Sequence, residues 1–164
     1  MPFFLLGHMG CGKTTIGKKT ANKLNIPFID LDELIEEKQG MSINDIFSTK
    51  GESFFRKLES SMLHTYPFQK DTIVASGGGT PCFYDNYNFM KTTGVTIYLK
   101  VSVSEIIRRI QFNYTRPLLW NNNLNLHDFI HQSLSERESV YMKSDYVIES
   151  DNISEDDIQK IVKI

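Results

Sequence analysis

A three-layer α/β domain, one parallel sheet with helices on both faces, is the fold this sequence predicts. Two observations predict it. Short apolar runs rich in Ile, Val, Phe and Tyr recur along the chain, each bounded by Gly, Asp or Ser. Such runs are the mark of strands buried in a parallel sheet. Stretches with apolar residues at helical spacing separate them, and strands alternating with helices build a parallel sheet covered on both sides.

The elements follow in order. "FFLL" (Phe3–Leu6) is the first strand and stops at Gly7. Lys13–Leu24 reads as a helix, with apolar or small residues at Ile16, Thr20, Ala21 and Leu24. "IPFID" (Ile26–Asp30) is the second strand and ends in an acid. Asp32–Gln39 and Ser42–Phe47 read as two short helices, with Ser42 as N-cap of the second and Asp45 three residues on. Phe54–Tyr66 carries Phe55, Leu58, Met62 and Tyr66 on one helical face. "DTIVAS" (Asp71–Ser76), "GVTIYLKV" (Gly94–Val101) and "DYVIES" (Asp145–Ser150) complete a set of buried strands. Val103–Phe112, Leu126–Met142 and Ser154–Ile164 are the remaining helices. "NYTRPLLWNNNLN" (Asn113–Asn125) suits neither helix nor strand, and reads as an excursion above the sheet or as a plain surface loop. No repeat or linker breaks the chain, so residues 1–164 are expected to form a single domain.

Bulk properties narrow the function classes. The 164 residues have a formal net charge of −2, which gives no global field for nucleic acid or an anionic membrane. Two cysteines, Cys11 and Cys82, make neither a disulfide scaffold nor a zinc spacing. No apolar run reaches the length of a membrane span and the N-terminus lacks a signal-peptide pattern, so a cytoplasmic location is expected.

Gly7-His-Met-Gly-Cys-Gly12-Lys13-Thr14 fits G-x-x-x-x-G-K-[ST] between a strand and a helix. Glycines let the backbone curl so that successive N–H groups face phosphate oxygens, and the helix start adds free N–H groups and a positive dipole end. In such a loop Lys13 reaches the β- and γ-phosphates and Thr14 ligates Mg²⁺. The alternative is a chance glycine turn, which the strand–loop–helix context argues against. Cys11 reads as a reactive thiol near a helix N-terminus or as a small residue at a variable loop position.

"FIDLDE" places Asp30 and Asp32 two apart at a strand's C-terminal end, where residues two apart share a face. One carboxylate there supports Mg²⁺ through a water and the other orients and deprotonates a hydroxyl, or Asp32 merely caps the next helix. Gly77, Gly78 and Gly79 follow the third strand directly and either let backbone approach a ligand or make a sharp turn. Arginine is scarce, and it is the side chain for bidentate capture of carboxylate or phosphate. Arg56 and Arg137 lie on helices, where solvent exposure is the ordinary alternative, and Arg116 lies in the Asn-rich excursion, where it could act as an arginine finger. From these residues alone the acceptor of the phosphate stays open.

Taken together, "GHMGCGKTT", "FIDLDELIE", "SINDIF", "GESFFRKLE", "SGGGTP" and "TRPLL", in this order and spacing, resemble the shikimate kinase family from Gly7 to about Tyr141. These are P-loop enzymes that phosphorylate the 3-hydroxyl of shikimate with ATP. The resemblance implies five parallel strands in the order 2-3-1-4-5, a shikimate-binding helical region over about 32–66 and a mobile lid over about 113–125. It implies that Gly10, Cys11, Gly12, Lys13, Thr14 and Thr15 hold ATP, with Lys13 stabilising the transferring phosphoryl group. Thr14 would hold Mg²⁺ and Asp30 would support it through water. Asp32 would grip shikimate hydroxyls and act as base. Arg56 and Arg137 would clamp the carboxylate, Gly78 and Gly79 would offer backbone to shikimate, and Gly77 would shape the turn. Arg116 would close on the phosphates as the lid arginine, and Arg109 would stack on adenine. Phe47 and Phe55 match aromatic walls of the shikimate pocket or belong to the core. The family's R-x-P-L-Y reads "RESVY" here (Arg137–Tyr141), keeping only the arginine and tyrosine.

The resemblance further implies a shikimate-pathway enzyme in a bacterial, plant or similar cytoplasmic or plastid setting; with no transit peptide visible, bacterial cytoplasm is expected, and the chain is expected to act as a monomer. Two other readings are weighed against it. A gluconate or nucleoside monophosphate kinase shares the loop and lid but has no need of the D-x-D, the helix arginine and the glycine triplet together. A nucleotide-binding module that is not an enzyme would be expected to lose Lys13, Asp32 or Arg56, and all three are present.

Overall fold

The computed structural model describes residues 1–112 and 125–163. Among them, strands β1 (Phe3–Leu6), β2 (Phe28–Asp30), β3 (Ile73–Ala75), β4 (Val95–Lys100) and β5 (Tyr146–Glu149) form one sheet in the order β2-β3-β1-β4-β5. Every pairing in it is parallel. β1 is central: Phe3 stands beside both Ile73 and Val95, and Leu5 beside both Ala75 and Ile97.

The two-residue period of a strand sends alternate side chains to opposite faces. Phe3 and Leu5 enter a core with Ile16 and Ala21 of α1 (Lys13–Leu24), Ile106 of α5 (Val103–Phe112) and Ile158 of α7 (Glu155–Val162). Phe4 and Leu6 enter the opposite core. It contains Leu31 and Ile35 of α2 (Leu31–Gln39), Phe55 and Leu63 of α3 (Ile43–Thr65), and Met90 of α4 (Asn86–Thr93). α6 (Leu126–Tyr141) reaches both cores, through Ile130 and Tyr141 respectively.

The fold matches the expected architecture and differs in detail. The two helices expected over Ser42–Phe47 and Phe54–Tyr66 join into α3, kinked at Gly51, where φ 80 and ψ 167 leave the helical region. Ser42 does cap it, accepting from the Asp45 backbone N–H at 3.1 Å. α4 and a 3₁₀ turn at Thr80–Cys82 were not expected, because Asn86–Thr93 is rich in Asn and Thr, poor helix formers that packing of Met90 overrides. β5 is not buried as expected: it lies at the sheet edge, leaving Tyr146 and Val147 exposed. Residues 113–124 of the Asn-rich excursion, Arg116 among them, lie outside the described residues. The excursion's last residue, Asn125, caps α6 by accepting from the Asp128 N–H at 3.0 Å.

In a parallel sheet all strands end on one edge, and ligands bind in the crevice beyond it. Here that edge gathers the loop after β1, Asp30 at the end of β2 and the glycine triplet after β3.

Candidate active site

The phosphate loop takes the shape its glycines allow. Gly10 and Gly12 have φ of 84 and 100, the left-handed region where a side chain is strained. Gly12 is also the N-cap of α1, so the first N–H groups of that helix are free for a ligand. Lys13 is buried at 8% exposure and curls back over the loop, donating from Nζ to the carbonyls of Gly7 at 2.7 Å and His8 at 3.1 Å. The Cys11 thiol is buried and lies 3.7 Å from the same Nζ.

Asp30 and Asp32 reach the crevice by a different route from the one expected. They do not share a strand face, because the strand ends at Asp30 and Asp32 sits in the first turn of α2. Asp30, not Asp32, is the helix cap: its Oδ1 accepts from the backbone N–H of Asp32 at 3.0 Å and of Glu33 at 3.4 Å. Its Oδ2 accepts from the Thr14 hydroxyl at 2.5 Å. This pair supplies the hard oxygen donors that suit Mg²⁺, which keeps several waters and needs few protein ligands. Among the described residues no cluster of three or more His, Cys, Asp or Glu could hold a metal alone.

Two adjoining cavities open on this edge, of about 460 Å³ and about 620 Å³. Lys13, Lys19 and Arg109 line the first; Arg56 and Arg137 line the second. Thr14, Asp30, Asp32, Gly77 and Gly78 line both. Asp32 therefore stands at the junction of a cationic cradle built on the phosphate loop and a second pocket between α2, α3 and α6, where Arg56 and Arg137 are set among the carboxylates of Glu33, Glu36 and Glu59. A carboxylate there can orient a hydroxyl held in one cavity toward a phosphate held in the other.

Arg56 is not a solvated helix charge. It is 8% exposed, donates to Glu59 Oε2 at 2.8 Å, and lies over the Phe83 ring at 4.3 Å. Glu59 has no exposed surface and also accepts from the Thr80 hydroxyl. The triplet closes on these groups. A methyl carbon on Gly79 would come within 2.6 Å of Arg56 Nη2, and one on Gly77 within 2.8 Å of Glu59 Oε1 and 3.0 Å of Asp32 Oδ1. Close approach is thus what glycine supplies at both positions. Phe47 and Phe55 pack against one another at 4.7 Å, and they both line the second cavity and contribute to the core.

Arg109 reaches the far end of the first cavity. Its guanidinium donates to Glu105 at 2.7 Å, to the Cys11 carbonyl at 2.9 Å and to the Asp151 carbonyl at 2.6 Å. Hydrogen bonds from Arg108 and Arg109 lower the Glu105 carboxyl to a pKa of about 2, so this brace stays charged. Ile110 and Ile153 add apolar surface beside Arg109.

Several residues of the site had no sequence signal of their own. Glu59 was legible only as an acid three residues after Arg56, a spacing that puts both on one helix face. His8 sits inside the phosphate loop yet is 1% exposed, and burial lowers its pKa to about 4. The buried Tyr141 hydroxyl donates to the Gly78 carbonyl, which anchors α6 to the triplet.

Comparison with known proteins agrees with this geometry. A family model described as shikimate kinase matches residues 9–164. The shikimate kinase of Bacteroides thetaiotaomicron is 42% identical over 154 residues, covering 93% of this chain and 88% of its own. The crystal structure of shikimate kinase from that organism superposes with a TM-score of 0.93 at 38% identity, covering 100% of this chain and 99% of its own. The Acinetobacter baumannii shikimate kinase, solved in complex with shikimate, superposes with a TM-score of 0.88 at 32% identity, covering 99% and 90%.

Proposed function

The chain belongs to the shikimate kinase family, and on that premise we propose how its own residues divide the work. It is a kinase that phosphorylates shikimate with ATP. The gluconate, nucleoside monophosphate and non-catalytic alternatives are not favoured.

The loop from Gly10 to Thr15 holds the phosphates of ATP, with free N–H groups at the start of α1 as donors. Lys13 exchanges the carbonyls of Gly7 and His8 for phosphate oxygens, carrying its charge to the transferring group. Thr14 and Asp30 are the residues that would hold Mg²⁺, Asp30 through water, and the ion would supply charge neutralisation. Arg109 and the two isoleucines receive the adenine. In the second cavity Arg56 and Arg137 pair with the shikimate carboxylate, while the backbone of Gly78 and Gly79 meets the ring substituents. Asp32 grips shikimate, orients its 3-hydroxyl and takes its proton as that oxygen attacks the γ-phosphorus of ATP, so that the bond to the bridging oxygen breaks, ADP leaves and shikimate 3-phosphate forms. Arg116, which lies outside the described residues, supplies a further charge to the phosphates. The enzyme works as a cytoplasmic monomer with no nucleic acid or membrane partner. A net charge of −2 gives no global field for nucleic acid or an anionic membrane, and among the described residues no helix is long and apolar enough to cross a membrane.

The observation that carries this reading is that Asp32 lines both cavities while the clamp arginines line only the second. The test is ADP release with shikimate, gluconate or AMP as acceptor, repeated with Arg56→Ala. Turnover with shikimate and a strongly raised shikimate KM in the variant support it. Turnover with AMP or gluconate alone, or an unchanged KM, overturns it.

A further inference from the structure

We infer that His8 and Ser133 form a tether that sets the position of Arg137 relative to the phosphate loop, making both of them positioning residues for the acceptor. The inference rests on the reading of Arg137 as a carboxylate clamp. His8 Nδ1 lies 2.8 Å from the Met9 carbonyl, which only accepts, so this nitrogen carries the hydrogen. Nε2 is then the acceptor, and the Ser133 hydroxyl donates to it at 3.2 Å. His8 and Ser133 are both buried, at 1% and 9% exposure. Burial and the nearby charges of Lys13 and Arg137 favour the neutral imidazole, in which Nε2 accepts.

Ser133, Arg137 and Tyr141 follow one another at intervals of four along α6, so they share one face of the helix. Ser133 bonds to the phosphate loop and Tyr141 bonds to the Gly78 carbonyl of the triplet. Arg137 sits one turn from each tether. Ile130 and Leu134 pack α6 against the two cores. The two hydrogen bonds add directional constraints one turn to either side of Arg137. A methyl carbon on Gly78 would lie 3.2 Å from the Met9 N and 3.7 Å from Arg137 Nη1, so loop, triplet and guanidinium meet at one point. The loop is thus linked to the acceptor pocket through α6 as well as through Asp32.

The test is a double-mutant cycle over His8→Leu and Ser133→Ala, read by calorimetric titration of shikimate in the presence of ADP, with Arg137→Ala alongside. Ser133→Ala preserves the helix and removes only the hydroxyl. Loss of one neutral hydrogen bond should weaken shikimate binding ~3- to 10-fold. The double variant should be no weaker than His8→Leu alone, and ADP affinity in Ser133→Ala should be unchanged. Additive effects, or normal shikimate affinity in Ser133→Ala beside a weakened Arg137→Ala, overturn the tether. Normal affinity in Arg137→Ala overturns the clamp reading itself. Equal loss of ADP and shikimate affinity in Ser133→Ala would mean general loosening of the site and also overturns the tether.

Discussion

Arg56 donates to the fully buried carboxylate of Glu59 across 2.8 Å, and Glu59 in turn accepts from the Thr80 hydroxyl beside the glycine triplet. The guanidinium is thereby aimed by a carboxylate that itself lines the second cavity. Replacing Glu59 with Gln keeps the shape and removes the charge. A hydrogen bond to a charged group is worth about 1.5–3 kcal/mol, so shikimate KM should rise roughly 10- to 100-fold. The ATP KM should stay near normal. Steady-state kinetics with each substrate varied in turn checks this.

Gly79→Ala should reproduce that defect without backbone strain. Gly79 has φ −88 and ψ −19, which any residue adopts. The added methyl carbon would instead sit 2.6 Å from Arg56 Nη2 and push the guanidinium aside. Shikimate affinity should fall by about an order of magnitude, as for the loss of one charged contact, with ADP binding retained. Titration calorimetry with each ligand separates the two.

Asp32→Asn removes the carboxylate proposed as proton acceptor at the junction of the cavities while keeping its size. Turnover should fall at least ~10²-fold, the low end for losing a general base. ADP titration should still show binding. Turnover near that of the unmodified enzyme would remove Asp32 from the base role.

Asp30 has two tasks that different substitutions separate. Asp30→Ala deletes the cap of α2 and should cost about 1 kcal/mol, lowering Tm by roughly 2–4 °C. Asp30→Asn keeps an oxygen to accept from the Asp32 and Glu33 N–H groups, so Tm should hold. Its lost charge should still raise the Mg²⁺ concentration needed for half-maximal rate. Thermal melting and a Mg²⁺ titration read the two effects independently.

His8 makes stability depend on pH. Its pKa falls from 6.5 to about 4 on folding, chiefly through burial. Between those values the unfolded chain binds the extra proton, so stability drops as pH falls from 6.5 toward 4 and levels off below. The full difference is at most ~3 kcal/mol. Denaturant unfolding at several pH values should show a shallower decline in His8→Asn than in the unmodified chain, the difference appearing only inside that window.

Much of this molecule is legible in its sequence because the signals are local. The phosphate loop needs glycines at fixed offsets from a lysine and a threonine, and strand and helix periods betray which faces are buried. Family resemblance then located Asp32, Arg56, the triplet and Arg137 as parts of one site. Other features were illegible for stated reasons. α4 is a helix by packing rather than by propensity, and β5 is exposed because it is an edge. Asp30 became the cap because the strand stops one residue before α2 begins, a boundary that alternation cannot fix to a single residue.

The sequence by itself determined the sheet, the nucleotide cradle and the residue types of the acceptor pocket. Only the tertiary structure decided which of them touch. It put Asp32 where the two cavities meet, and it made Arg56 a buried charge braced by Glu59. It also joined His8 to Ser133 across 125 positions of chain. The physical reason is that pattern and propensity act over a few residues, whereas the partner of a buried polar group is chosen by whatever the packed sheet brings within hydrogen-bond reach.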